Sequence, residues 1–143
     1  MKNIREYIEN HKADLVLVRG LPGSGKSTYV KKNLKGYKHF EADQFFEKNG
    51  EYKFDVNKLK YAHELCFSNT KKELEKGNKV VVSNTFVRRW ELDKYLQLAR
   101  ELDKTVKVIR MTSQFKNEHG VPDDKVKIMR KNFEDYEGEI KVK

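Results

Sequence analysis

An α/β fold, a parallel sheet with helices on both faces, is the class this sequence predicts, and three observations predict it. Residues 15–18 (Leu-Val-Leu-Val) and 80–82 (Val-Val-Val) are continuous apolar runs, the pattern of strands buried on both faces. Stretches with apolar residues at helical spacing follow each of them. Glycines and the two prolines fall singly between these segments, as punctuation. Strands that alternate with helices pair in parallel through right-handed crossovers, and ligands then lie beyond the carboxyl ends of the strands.

Each element follows in order. Ile4, Tyr7 and Ile8 predict a short amphipathic N-terminal helix. Residues 15–18, between Asp14 and Gly20, are the first strand, and residues 27–34 a helix that stops at Gly36. Residues 37–41 are the second strand. Asn49-Gly50 tolerates the positive φ of a tight turn, so residues 45–54 form a small hairpin or an ordered loop. Asp55 caps a helix that buries Leu59, Ala62, Cys66, Thr70 and Leu74 and ends at Gly77. After the third strand, 80–82, a helix buries Leu92, Tyr95, Leu96, Ala99 and Leu102. Val106, Val108 and Ile109 alternate with Lys107 and are broken by Arg110, which predicts a fourth strand at the sheet edge. A last helix starts after Pro122, is capped by Asp123, and turns Val126, Met129, Phe133 and Tyr136 inward.

Size and composition bound the function. The 143 residues suit one domain, expected to span 1–143. No apolar run is long enough to cross a bilayer or to form a signal-peptide core, so no membrane partner is expected. A single cysteine, Cys66, excludes an intramolecular disulfide and points to a reducing, cytoplasmic setting. His63 and Cys66 lie three apart on a helix without further ligands nearby, and read as packing residues. The net charge of +9 fits a polyanionic partner, and equally a lysine-rich solvated surface.

Chemistry enters at residues 20–27, Gly-Leu-Pro-Gly-Ser-Gly-Lys-Ser, which match G-x-x-x-x-G-K-[ST] at every fixed position. Gly20, Pro22, Gly23, Ser24 and Gly25 form a loop whose backbone N–H groups can curl around phosphate oxygens. Lys26 would reach the β- and γ-phosphates, and the Ser27 hydroxyl would ligate Mg²⁺. The helix that opens at Ser27-Thr28 points its N-terminal dipole at the anion. ATP or GTP with Mg²⁺ is the expected cofactor set.

With this loop in place, Glu41-Ala42-Asp43, Ser83-Asn84-Thr85, Lys116-Asn117 and Val121-Pro122 follow in order. The chain thereby resembles the kinase domain of phage polynucleotide 5′-hydroxyl kinase. It resembles still more the small P-loop ATP-binding proteins related to it, through residues 50–54, Ala62-His63 and 119–122 as well. The resemblance covers about residues 14–136. It implies a three-layer P-loop fold with a four-stranded parallel sheet in order 2-3-1-4. It also implies transfer of a γ-phosphate to a hydroxyl, with a nucleic acid bearing a 5′-hydroxyl end as partner.

Asp43 stands where the resembling kinases carry the aspartate that accepts the proton of the attacking hydroxyl; read locally, it could instead cap a helix starting at Gln44. Ser83 and Asn84 end the third strand, where P-loop proteins usually place a carboxylate for the magnesium shell; their neutral oxygens could hold a metal-bound water. Arg88 and Arg89 at a helix start would oppose its dipole unless an anion joins them, and could otherwise pair with Glu91 or Asp93. In the resembling kinases the region of residues 112–120 is a lid with phosphate-contacting arginines. Here Lys116 and His119 stand near those places, and Phe46 replaces an arginine that contacts substrate phosphate. Phe45, Phe46, Tyr52 and Phe54 could stack on a base or form local core. Lys26, Asp43, Arg88 and Lys116 are therefore the candidate catalytic residues. A small-metabolite or nucleoside monophosphate kinase, and an ATP-binding regulatory module with little turnover, are the alternatives.

Overall fold

The computed structural model describes residues 13–48, 50–115 and 120–143. The predicted N-terminal helix, Asn49, Lys116, Asn117 and His119 lie outside the described residues.

The two apolar runs become the centre of the sheet. Strand β1 (Leu15–Arg19) is buried along its whole length and pairs in parallel with β5 (Val80–Asn84) on one side and β6 (Val106–Met111) on the other. Strand β2 (Lys38–Phe40) joins β5, and β7 (Ile140–Val142) joins β6, both in parallel. The order is β2-β5-β1-β6-β7. The glycine turn at residue 50 carries positive φ and links a separate antiparallel hairpin, β3 (Glu47–Lys48) and β4 (Glu51–Tyr52).

This sheet corrects the expected four strands in order 2-3-1-4: among the described residues it has five, with β7 added. It also moves β6 away from the edge. The charge that suggested an edge, Arg110, is met by Asp135 and Glu139 from the segment leading into β7. β7 has three residues, two of them exposed, and so leaves no apolar run to find.

Helices cover both faces. Cys66 and Leu74 of α2 (Leu59–Glu75) and Leu92, Tyr95, Leu98 and Ala99 of α3 (Arg89–Glu101) pack on Leu15, Leu17, Val80, Val82 and Val108. Val30 of α1 (Lys26–Asn33) packs on Val16, Val18, Val81, Ile109 and Met111. Asp55 accepts from Asn57 N (3.0 Å) and caps a short 3₁₀ turn, Val56–Lys58, that leads into α2. Leu98 is buried in α3, whereas Leu96 and Leu102 are half-buried. Helix α4 (Asp123–Asn132) begins at Asp123 with Pro122 at its cap and stops before Phe133 and Tyr136, which therefore lie beyond it.

The segment after α4 is anchored by one residue that breaks the rule of apolar strands. Arg19 ends β1 with its side chain fully buried. It donates from Nε (3.1 Å) and Nη2 (2.6 Å) to the Phe86 carbonyl and from Nη1 to Glu139 (2.8 Å). Phe133 lies against both Arg19 and Arg110, at 4.3 and 4.5 Å from ring centre to guanidinium. Phe86 is held at φ 46°, an uncommon value for a residue with a side chain, in the loop that leads from β5 to α3. One buried arginine thus ties the C-terminal segment to the carboxyl edge of the sheet.

Candidate functional site

The loop between β1 and α1 has a backbone that its glycines require. Gly23 and Gly25 have φ of 81° and 91°, and Gly25 is the left-handed residue from which α1 starts. A Cβ at Gly20 would strike Ser24 Oγ and come within 3.1 Å of the Met111 carbonyl, so the loop packs on the end of β6. Ser24 is buried, and its hydroxyl has no hydrogen-bond partner among the described residues. Pro22 contributes its carbonyl to Gln114 Nε2 (3.0 Å), and Gly23 its carbonyl to the amide of Phe115. Thr28 is exposed in the first turn of α1.

Lys26 folds over this loop, donating to the carbonyls of Gly20 (2.9 Å) and Leu21 (3.0 Å). Burial pushes its ammonium down to about 8, against the upward pull of Glu41 and Asp43. A polyphosphate beside Lys26 favours the charged form and raises that value again. ADP bound beside Lys26 should therefore take up a proton above about pH 8, and its affinity should fall as pH rises through that value. Calorimetric titrations in two buffers of different ionisation enthalpy measure this uptake; a proton count of zero at pH 8.5 would contradict it.

Opposite the loop, the carboxyl ends of β2 and β5 form a polar cluster centred on Glu41. Its Oε2 accepts from Ser83 Oγ (2.9 Å) and, at 3.4 Å, from Ser27 Oγ. Since Ser83 gives its only proton to Glu41, His39 Nε2, 2.6 Å from Ser83 Oγ, must be the donor in that contact. Burial lowers the pKa of His39. Asn84 is engaged elsewhere: its Oδ1 accepts from the Ala42 amide (2.9 Å) and its Nδ2 faces Cys66 Sγ at 3.9 Å. It fastens to β5 the 3₁₀ turn Ala42–Phe46 that carries Asp43.

Asp43 sits within that turn, and Tyr52 of the hairpin donates its phenol to Oδ1 (3.0 Å). Burial, then the charge of Asp43, raises the Tyr52 phenol well above its ordinary range and keeps it a donor. Glu41, not Asp43, takes the N-cap position of the turn, with Gln44 Oε1 accepting from the Glu41 amide at 3.3 Å. Phe46 is buried between Ala42 and Ala62 and serves as core. Tyr61 and Phe54 are exposed; Phe45 meets Tyr61 edge to face at 5.2 Å, and Phe46 meets Phe54 at the same distance.

The loop, Lys26, Ser27, Asp43 and Ser83 are thus gathered at one edge. Arg88 is the N-cap of α3, with its guanidinium 3.8 Å from Glu134; Arg89 binds the same carboxylate through its amide (2.8 Å). Of the two side-chain pairings that the sequence offered as the alternative to a bound anion, neither Glu91 nor Asp93 meets the guanidinium groups; Glu134 does. The Arg88 amide does bind Glu91 (2.8 Å). Among the described residues, no group of three His, Cys, Asp or Glu side chains forms a metal cage. Ser27, Ser83 and Glu41 instead present hard oxygens, which suit Mg²⁺ bound together with substrate phosphates.

Glu41 is a site residue to which no sequence motif gives a role. Its signal was the Glu-x-Asp spacing at the end of the second strand, which places two carboxylates at the edge where ligands bind.

A buried strand, a glycine loop with lysine inside it, and a helix opening onto the loop define a P-loop nucleotide-binding domain with a kinase-like fold. The chain belongs to the AAA domain family, whose model matches residues 15–133. It is 34% identical over 134 residues to NEDD4-binding protein 2 of Homo sapiens, covering 84% of this chain and only 8% of that protein. Among solved structures it is similar to a gluconokinase from Sinorhizobium meliloti 1021 (TM-score 0.61, 18% identity, 89% of this chain and 80% of that one). It is also similar to a chain of the Pnkp1/Rnl/Hen1 RNA repair complex (TM-score 0.65, 14% identity, 86% and 45%). No helix among the described residues is long and apolar enough to cross a membrane.

Proposed function

We propose that this domain is an ATP- or GTP-dependent phosphotransferase that moves the γ-phosphate to a hydroxyl, in first place the 5′-hydroxyl of RNA or DNA. The observation that carries this reading is the pairing of two parts at one sheet edge. One is a phosphate loop, and the other is Asp43, carried on the 3₁₀ turn that Asn84 fastens to β5 and two residues beyond Glu41, whose carboxylate meets Ser27 of the loop at 3.4 Å. The loop amides and Lys26 hold the donor polyphosphate. Ser27 would hold Mg²⁺, which neutralises charge on the β- and γ-phosphates when bound. The shallow pocket lined by Leu21, Gln114, Arg130 and Phe133 lies beside the loop and suits the nucleobase.

Asp43 accepts the proton of the attacking hydroxyl as its oxygen bonds to the γ-phosphorus and the bond from phosphorus to the β,γ-bridging oxygen breaks, releasing the nucleoside diphosphate. Tyr52, fixed on Oδ1, orients the carboxylate. Arg88 and Lys116 would supply positive charge to the moving phosphoryl group, Arg88 by exchanging Glu134 for it.

A nucleic acid acceptor is supported by the net charge of +9, by the exposed rings of Tyr61 and Phe54, which meet Phe45 and Phe46 of the turn that carries Asp43, and by the likeness to a chain of an RNA repair complex. The test compares kcat/KM for a 5′-hydroxyl oligonucleotide, a nucleoside monophosphate and a sugar acid. A preference for the oligonucleotide of about 100-fold or more supports the reading, that ratio being about 2.7 kcal/mol of transition-state binding. A preference for either small acceptor would replace it, and no turnover despite tight ATP binding would favour a regulatory module.

A further inference from the structure

We infer that Glu41 is the carboxylate of the divalent-cation shell, supplied from the end of β2 in place of the carboxylate that P-loop proteins usually carry on the strand occupied here by Ser83 and Asn84. This rests on the nucleotide-binding reading of the loop and assigns a residue within it.

Three observations carry it. The first is position: Glu41 Oε2 lies 3.4 Å from Ser27 Oγ, the hydroxyl that a P-loop offers to magnesium. The second is orientation. Ser83 Oγ fixes the same oxygen at 2.9 Å and is itself held by His39, so the carboxylate is aimed by its neighbours, as metal-shell ligands are. The Glu41 side chain is only 17% exposed, so this is a lodged carboxylate and not a solvated one. The third is charge. A carboxylate beside the binding place of a polyphosphate repels it, and the repulsion is strong at low dielectric. Lys26 offsets part of that charge, yet Lys26 is also the residue that must serve the phosphates. A cation between Glu41 and the phosphates turns the repulsion into attraction. Asn84 is neutral and so brings no charge, and its amide is already taken up by the Ala42 N–H and Cys66.

The assignment predicts effects of opposite sign, which a purely structural role would not give. Glu41→Gln keeps the shape and removes the charge. In excess chelator, its affinity for ADP should equal or exceed that of the wild type, because a like charge is gone. With Mg²⁺ present, the gain in ADP affinity should shrink about 10–100-fold, the usual cost of losing a metal-shell partner. Binding of Mn²⁺ in the presence of ADP, followed by the loss of the free-ion paramagnetic resonance signal, should weaken in parallel. Glu41→Asp keeps the charge and should recover part of the effect.

Calorimetry of ADP with and without Mg²⁺ decides the matter. Full metal dependence retained in Glu41→Gln overturns the assignment, as does an equal loss of affinity with and without metal, which would mark Glu41 as structural. Wild-type protein that binds no ADP under either condition would overturn the nucleotide reading itself, and the assignment with it. Wild-type binding with metal dependence kept in the variant would overturn the assignment alone.

Discussion

Asp43→Asn is expected to lower kcat for phosphoryl transfer by about 10²–10⁴-fold, the range that a positioned general base contributes, while the affinity for ADP stays within a few-fold. The exchange keeps the side chain's size and its ability to accept from Tyr52, so the 3₁₀ turn and its fastening to Asn84 remain. What is lost is the basic oxygen alone. The effect should therefore fall on kcat and on kcat/KM alike, the signature of an interaction made in the transition state. Single-turnover rates measured beside ADP titrations separate the two quantities. A variant that keeps wild-type turnover would remove Asp43 from the reaction.

Glu139→Ala is expected to destabilise the fold by about 3–5 kcal/mol, because it leaves the Arg19 guanidinium buried without its charge partner. Arg19 is fully buried and the Glu139 side chain only 3% exposed, so neither solvent nor salt can replace the lost pairing. The damage should extend to the site, since Arg19 also grips the Phe86 carbonyl in the loop that leads to Arg88. Urea unfolding followed by far-UV circular dichroism measures the loss. The double variant Arg19→Met, Glu139→Leu should recover part of it, as removing both charges avoids the orphan. A loss below about 1 kcal/mol in the single variant would place this pair with ordinary surface ion pairs.

The fold was legible where burial writes itself into local composition. The short, valine-rich runs at 15–18 and 80–82 fit strands covered on both faces, and Ala62, Cys66, Thr70 and Leu74 mark one stripe of a helix. It was illegible where a non-local partner decides. β7 exists because β6 offers it hydrogen bonds, not because the tripeptide Ile-Lys-Val prefers to be a strand. Arg110 looked like an edge signal because its acidic partners, Asp135 and Glu139, lie 25 and 29 residues away. Phe133 has helical spacing with Val126 and Met129 but is extended at the end of the helix, where its ring lies against two arginines.

The same division holds at the site. The phosphate loop is contiguous, so eight residues announced it. Glu41 belongs to a cluster assembled from three elements, with Ser27 and Ser83 lying 14 and 42 residues away, and only the fold brings these oxygens together. The negative charge that seemed missing at Asn84 was present in the sequence, one strand over.

Transfer to a 5′-hydroxyl is decided by the fate of a labelled γ-phosphate. The protein is incubated with Mg²⁺, γ-labelled ATP and a 5′-hydroxyl oligonucleotide, and the products are separated by size and digested to locate the label. Such transfer puts one label on each chain end, at the 5′ oxygen, and none when that end already carries a phosphate or when Asp43→Asn replaces the wild type. Label that appears only as free inorganic phosphate, or remains on ATP that the protein demonstrably binds, would contradict it.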